Sequence, residues 1–357
     1  MLSVTDNGVL NARGAFWPRL AVVAVLSLFS GLLVACDSNG SASKTVDDFA
    51  LQSDAEEYEQ LITQKAETLS TEQLYSRALT LWGGGFQELR VPTSYGVAQV
   101  VVAGPEDGYP VVLLHGMNTN STMWYPNASE LAKHFRIYAI DYLLGPGKSK
   151  PKPGVDELKQ VLDWYGEVFV KLQLERFALV GASQGGWFAT QLALKEPQRL
   201  SHLVLLSPAQ TFSWIDPSLD LFKNLMFAIN PEKEEVGETL HTMSTDVDKI
   251  DPLYIDQFYR YASTLDAIPA LMLEMRPFER EQFARLTIPT LVLIGDEDII
   301  NSQDDLSRAK QVLHCVSAHV VESSGHFLNV DAAESVNSYI TRFVLDGSDA
   351  GACELPD

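Results

Sequence analysis

Residues 179–186 read LVGASQGG, and this short segment carries the strongest structural signal in the chain. An apolar strand ends in a Gly-x-Ser-x-Gly turn, and a helical pattern begins directly after it. A strand-to-helix turn this tight leaves no room for Cβ atoms at Gly181 and Gly185, and it strains the backbone of Ser183. The motif alone occurs by chance, but its position between a strand and a helix predicts that the Ser183 hydroxyl stands clear of the backbone.

Continuous apolar segments alternate with amphipathic ones along most of the chain. This alternation is typical of a parallel sheet covered by helices on both faces. The sequence therefore predicts an α/β fold with a mostly parallel central sheet, preceded by two helices between about residues 50 and 82 and by a hairpin. The predicted strands are 86–91, 97–102, 111–115, 135–141, 177–181, 203–206, 290–295 and 319–321, and the predicted helices are 156–172, 184–195, 303–313 and 332–345.

One long interruption separates the predicted strand 203–206 from the two later strands, 290–295 and 319–321. From about 210 to 284 the pattern is helical and rich in Leu, Met and aromatic residues. Most of these side chains are expected to pack helix against helix, and a few to face a cleft, because lids over buried sites are lined with apolar groups. We interpret residues 49–357 as one domain with a helical cap inserted at about 210–284.

A serine that transfers acyl groups needs a base to take its proton and a carboxylate to orient that base, since the hydroxyl is nearly inert at its own pKa. Two loops contain such groups. The strand LVLIG ends in the acidic run 296–298, and a later strand is followed by Gly325-His326. Because parallel strands end at one edge of a sheet, we expect Ser183, an aspartate and His326 to meet there.

A third loop follows the predicted strand at 111–115 and reads LLHGM through Met117. Attack on a carbonyl creates an oxyanion, and preorganised backbone N–H groups stabilise it by on the order of 3 kcal/mol each. The expected donors are the backbone amides of Met117 and Gln184.

Together these motifs resemble the α/β-hydrolase superfamily, in order and over about residues 85–345. The resemblance implies an α/β-hydrolase fold with a helical cap, and it is far less specific for the substrate than for the fold. The motifs that carry it are His115-Gly116, Gly181 to Gly185, Gly295 to Asp298 and Gly325-His326.

The resemblance also implies a role for each residue. Ser183 corresponds to the nucleophile, His326 to the base and Asp298, the last residue of a Gly-x-x-Asp pattern, to the orienting acid. Asp296 is the competing acid, although its place beside the strand-ending glycine gives it less reach. His115 is expected to order the oxyanion loop through hydrogen bonds.

The expected activity is that of a serine hydrolase, most specifically a carboxylic-ester hydrolase that forms an acyl-enzyme with a small-molecule ester or other acyl substrate. This chemistry needs no metal or organic cofactor, and the acid-rich stretch 296–305 lacks the glycine and terminal glutamate of a calcium loop. Two alternatives stay open. One is other serine-triad chemistry, such as C–C bond or amide hydrolysis, perhydrolysis or acyl transfer, and the other is a catalytically silent binding module.

The loop at 141–149, DYLLGPGKS, departs from the family pattern by one extra residue, which affects the expected pocket shape. Its Gly-Lys-Ser ending invites comparison with a phosphate-binding loop. Tyr142 stands where such a loop needs a glycine, so the sequence argues against an ATPase. The nearby Trp124 is equally compatible with a pocket wall and with core packing.

The N-terminus has the pattern of an export signal. Arg13 and Arg19 precede an uncharged apolar run at 20–34, which is too short to span a bilayer comfortably. The run ends in LVAC, which resembles a bacterial lipobox, so we expect a signal peptide at 1–35 and acylation of Cys36. An ordinary secretory signal is the alternative.

An acylated Cys36 would anchor the protein to a bacterial membrane, most simply on the periplasmic face. Asp37 resembles the signal for inner-membrane retention in Gram-negative lipoproteins, and residues 36–48 have the composition of a flexible tether. Such export would permit a disulfide between Cys315 and Cys353, although the sequence leaves this pairing open.

Removal of residues 1–35 would leave 322 residues with 24 Lys and Arg against 46 Asp and Glu, a net charge of −22. This charge argues against nucleic acid as a partner and against attraction to anionic lipid. Attachment to a membrane would therefore depend on the lipid itself.

Overall fold

The computed structural model describes residues 45–51, 55–263, 271 and 274–346. These residues form a sheet of nine strands with helices packed on both of its faces, which confirms the predicted α/β fold. The strands are β1 (Phe86–Pro92), β2 (Gly96–Ala103), β3 (Tyr109–Leu114), β4 (Phe135–Ile140), β5 (Lys150–Pro151), β6 (Phe177–Ala182), β7 (Leu200–Leu206), β8 (Thr290–Gly295) and β9 (Val316–Val321).

The strand order is β1-β2-β4-β3-β6-β7-β8-β9, and the two-residue β5 pairs with β2. β1 and β2 form an antiparallel hairpin, and β2 is antiparallel to β4. All other neighbours from β4 to β9 are parallel. Every residue of β6 and β8 is buried, because central parallel strands are covered on both faces. Their carboxyl ends therefore point to one shared edge.

Twelve α-helices surround the sheet in the described part of the chain. They are α1 (Ala55–Ile62), α2 (Thr71–Leu79), α3 (Tyr125–Leu131), α4 (Leu158–Lys171), α5 (Gln184–Lys195), α6 (Leu219–Ile229), α7 (Val236–Met243), α8 (Pro252–Ala262), α9 (Arg280–Phe283), α10 (Gln303–Val312), α11 (Leu328–Asp331) and α12 (Ala333–Asp346).

The core lies in two layers, because successive side chains of a strand point to opposite faces. On β3, Val112 and Leu114 face the layer that contains α4, α5 and α10. Val111 and Leu113 face the layer that contains α3 and α12. The alternation explains why the strand is apolar throughout.

Helices α6, α7 and α8 lie between β7 and β8 in the chain, within the predicted cap range, and we call them the cap. Both ends of the predicted cap range return to the core, where the rings of Phe212 and Phe283 stack with their centroids 5.2 Å apart. The leading helices contact the cap directly, since α2 packs on α8 and Arg260 Nη1 donates to the carbonyl of Leu69 at 3.1 Å.

Several sequence predictions lie outside the described residues, namely the signal peptide at 1–35, Cys36, Asp37 and Cys353. Of the predicted tether at 36–48, residues 45–48 are described, and Val46–Phe49 forms a 3-10 turn in which Phe49 is buried. No helix in the described ranges combines the length and apolarity needed to cross a membrane.

Candidate active site

The Gly-x-Ser-x-Gly segment forms the turn between β6 and α5. Ser183 has φ 52° and ψ −120°, and a strained conformation of this kind costs on the order of 1–3 kcal/mol. Main-chain hydrogen bonds hold it, since the Ser183 N–H donates to Leu206 O and its carbonyl accepts from Gly186 N, both at 2.9 Å. A Cβ at Gly181 would lie 2.3 Å from the carbonyl oxygen of Gly185, so the turn requires this glycine.

Three side chains from three different loops meet at the edge of the sheet. Ser183 Oγ lies 2.8 Å from His326 Nε2, and His326 Nδ1 lies 2.9 Å from Asp298 Oδ1. A carboxylate only accepts, so Nδ1 carries the ring proton and Nε2 accepts from the serine hydroxyl. The ring is therefore oriented to take the proton of Ser183.

The two aspartates considered as the acid occupy different environments. Asp298 contacts His326, and its Oδ1 also accepts from the N–H of Ile300 at 2.8 Å. Burial alone would raise the pKa of Asp298, but its attraction to His326, its hydrogen bond with that ring and the Ile300 N–H hold the pKa below its ordinary value. Asp296 is exposed, and its Oδ1 accepts from Ser324 N at 3.0 Å.

The two predicted oxyanion donors flank Ser183 in the wall of the same cavity. Gln184 is the first residue of α5, where backbone N–H groups have no intrahelical acceptor and the helix dipole is positive. Met117 lies in the loop after β3. Thr119 Oγ1 fixes this loop by donating to the carbonyl of Gly116 at 2.8 Å.

The imidazole ring of His115 orders the same loop through its two nitrogen atoms. Its Nδ1 lies 2.7 Å from the carbonyl oxygen of Gly116, and its Nε2 accepts from Tyr142 N at 2.8 Å. A carbonyl only accepts and an N–H only donates, so the ring is neutral with its proton on Nδ1. Burial lowers the pKa of His115 below its ordinary value. The ring thus joins the loop of Met117 to the loop at 141–149.

Comparison with known proteins agrees with this geometry. The sequence signature of the α/β hydrolase fold matches residues 109–230. Over 277 residues the chain is 30% identical to an uncharacterized carboxylesterase, nap, of Bacillus subtilis (strain 168), which covers 76% of this chain and 91% of that protein. The chain belongs to the α/β-hydrolase family.

A second relative and a solved structure are also similar over most of their length. Carboxylesterase YbfK of Bacillus subtilis (strain 168) is 27% identical over 281 residues, which are 77% of this chain and 93% of that protein. The crystal structure of a naproxen esterase (carboxylesterase NP) from Bacillus subtilis superimposes with a TM-score of 0.72 at 29% identity, over 77% of this chain and 96% of that one.

In this α/β-hydrolase a cavity of about 330 Å³ opens onto Ser183 and His326. None of its described lining residues is Lys, Arg, Asp or Glu. Helices α6, α7 and α8 contribute six apolar residues to its wall, namely Leu221, Leu225, Phe227, Leu240, Met243 and Phe258.

Sequence reasoning predicted an apolar cap lining but could not select these six residues, because the cap helices carry apolar side chains on more than one face. In α6, Leu219 and Phe222 are exposed to solvent while Leu221 and Phe227 line the cavity. Trp124 is fully buried in the core, and its neighbour Met123 contacts the cavity instead. In the described part of the chain, no cluster of His, Cys, Asp or Glu is arranged to hold a metal ion.

Proposed function

We propose that this α/β-hydrolase is a serine carboxylic-ester hydrolase in which Ser183, His326 and Asp298 act as nucleophile, base and orienting acid. The observation that carries the proposal is the continuous hydrogen-bond chain through these three side chains, with contacts of 2.8 and 2.9 Å, at the wall of an apolar cavity. The similarity to carboxylesterases over three quarters of the chain supports ester chemistry.

The reaction would proceed in two halves. His326 Nε2 takes the proton of Ser183 as Oγ attacks the ester carbonyl carbon, and the resulting oxyanion accepts from the backbone amides of Met117 and Gln184. His326 then gives the proton to the departing alcohol oxygen, which leaves an acyl-enzyme. Water, deprotonated by the same ring, adds to the acyl carbon and releases the acid with Ser183 restored.

The lining of the cavity favours substrates whose acyl group is neutral and apolar. Its described lining contains no Lys, Arg, Asp or Glu side chain. An unpaired charge in an apolar cavity of this kind is costly. If the protein hydrolysed a C–C bond in a substrate that bears a carboxylate, that carboxylate would lie in the cavity with no cation to pair with. The neutral lining therefore favours ester hydrolysis over this alternative.

A fluorophosphonate probe and a panel of p-nitrophenyl esters test the proposal together. We expect the probe to label Ser183 in the folded protein, and we expect short esters to be hydrolysed by the parent but not by Ser183→Ala. Absence of labelling would indicate a silent binding module. Labelling without ester turnover above the Ser183→Ala rate would instead indicate another serine-triad chemistry.

We further propose that the protein is exported and anchored by lipid on Cys36, facing the periplasm. The support is sequence-based: an apolar run of signal-peptide length ends in LVAC, and Asp37 follows.

Mass spectrometry of the mature protein tests the anchor directly. We expect an N-terminus at Cys36 that carries diacylglycerol, and membrane fractionation that a Cys36→Ser variant loses. A mature N-terminus without lipid would support the ordinary secretory signal and would leave the hydrolase proposal untouched.

A further inference from the structure

We infer that Asp331 is a positioning residue that couples the cap to the loop of His326, an inference that rests on the function proposed above. Asp331 is the last residue of α11, five positions after His326, and only 6% of its surface is exposed. A buried carboxylate needs donors for its oxygens. The donors of Asp331 come from two parts of the molecule, the loop of His326 and the segment that follows α7.

One carboxylate bridges the two parts. Asp331 Oδ2 accepts from the N–H of Gly325, which precedes His326, at 2.8 Å. The same oxygen accepts from the N–H of Thr245 at 3.1 Å, and Oδ1 accepts from the hydroxyl of Ser244. Ser244 and Thr245 directly follow α7 in the cap.

The other neighbour of His326 is also held by the cap. The N–H of Phe327 donates to the carbonyl of Met243, the last residue of α7, at 2.8 Å. A Cβ at Gly325 would lie 2.7 Å from that same carbonyl oxygen, so the loop and the cap are in close backbone contact. Lys249 Nζ adds a cap contact by donating to the carbonyl of Asp331 at 2.8 Å.

These contacts give the cap a second role besides lining the cavity. The side chain of Met243 contacts the cavity while its carbonyl holds the residue after His326. Asp331 holds the residue before it. Because proton transfer depends on the 2.8 Å contact between His326 and Ser183, a shift of the ring by about 1 Å costs on the order of 100-fold in rate.

Steady-state kinetics of Asp331→Ala and Asp331→Asn on a p-nitrophenyl ester test this role. Asp331→Ala leaves three donors without their acceptor, so we expect kcat to fall about 10- to 100-fold with KM changed less than about threefold. The rate of fluorophosphonate labelling of Ser183 should fall in parallel. Asp331→Asn should stay within about fivefold of the parent, because an amide oxygen can accept from both N–H groups and its NH₂ can donate to Ser244.

Glu88→Ala provides the matched control. Glu88 is a buried carboxylate on β1, 3% exposed, that accepts from Lys148 Nζ at 2.9 Å. β1 and β9 lie at opposite ends of the strand order. Glu88→Ala should therefore lower the melting temperature while the kcat of the folded enzyme stays within about twofold of the parent.

A folded Asp331→Ala enzyme with parental kcat and labelling rate would overturn the inference. If Asp331→Ala does not fold, Ser244→Ala is measured instead, because it removes one donor on the cap side. We expect its kcat to fall by about 3- to 10-fold, and an unchanged kcat would overturn the inference. If the parent enzyme is active and these variants have the same activity, only the proposed role of Asp331 is refuted. A parent that neither reacts with the probe nor cleaves esters refutes the proposed function as well.

Discussion

Arg77 Nη2 on α2 lies 2.8 Å from Asp256 Oδ2 on α8, so a helix that precedes the sheet is bonded to the cap, which lines the cavity. The Arg77 side chain is 3% exposed and that of Asp256 is 34% exposed. Arg77 Nη1 also donates to the carbonyl of Gln64 at 3.2 Å. The leading helices therefore support the cap from outside the sheet.

This ion pair predicts that the protein loses stability when the Arg77 guanidinium is removed. Arg77→Met leaves Asp256 and the Gln64 carbonyl without their donor, so we expect the free energy of unfolding to fall by about 1–3 kcal/mol. Chemical denaturation measures the change. Lys223→Met, which removes a pair with Asp220 whose side chains are 51% and 46% exposed, should change it by less than about 0.5 kcal/mol. Equal effects of the two substitutions would contradict the prediction.

The two aspartates of the loop after β8 should differ sharply in activity assays. Asp298→Asn would leave His326 in the wrong tautomer, so we expect kcat to fall by about 10⁴-fold. Asp296→Asn keeps an oxygen that can accept from Ser324 N, and kcat should stay within about threefold of the parent. Steady-state hydrolysis of one ester by both variants decides the matter. Comparable losses would show that the acid is not confined to Asp298.

The buried ring of His115 predicts a pH dependence of stability. Its pKa is lowered in the folded state from an ordinary value of 6.5, so the unfolded chain binds more protons as pH falls below about 6.5. Stability should therefore decrease from pH 7.5 to pH 5, and His115→Gln should reduce this slope by up to about 1.4 kcal/mol per pH unit. Urea unfolding at several pH values measures both slopes. Identical slopes in parent and variant would argue against a neutral buried ring.

The neutral cavity predicts discrimination against charged acyl groups. We expect kcat/KM for a p-nitrophenyl ester with a terminal carboxylate to be at least about 100-fold lower than for the methyl-terminated ester of equal length. The reason is that no described lining residue offers a cation to the carboxylate. Paired assays at pH 7.5 test this. Similar values for the two esters would mean that the acyl group does not enter this cavity.

Much of the fold was predictable because its signals are local. The strand at 290–295 and the helix at 184–195 have the predicted bounds, since each is a continuous pattern that ends at a glycine or follows a tight turn. The two-residue strand β5 was not predicted. Its pairing with Gly96 and Val97 comes from a distant segment, and two residues carry no periodicity.

The candidate site was predictable to the level of its loops. Ser183, His326 and the acidic run at 296–298 follow strands whose ends share an edge in any parallel sheet of this kind. The family resemblance selects Asp298 over Asp296, and in the structure it is Asp298 that contacts His326. The residues by themselves leave both aspartates open, because both carboxylates lie within one loop and only the path of the backbone decides which one meets the ring.

The sequence by itself determined the strand-turn-helix at Ser183, the order of the chemical groups along the chain and the apolar character of the cap. These depend on neighbouring residues and on close backbone approaches that leave no room for a Cβ at Gly181 or Gly185. The tertiary structure alone decided which cap side chains line the cavity, and that the carboxylate of Asp331 joins the cap to the loop of His326. Such contacts join residues distant in sequence, and their donors and acceptors become a pair only when packing removes water from both.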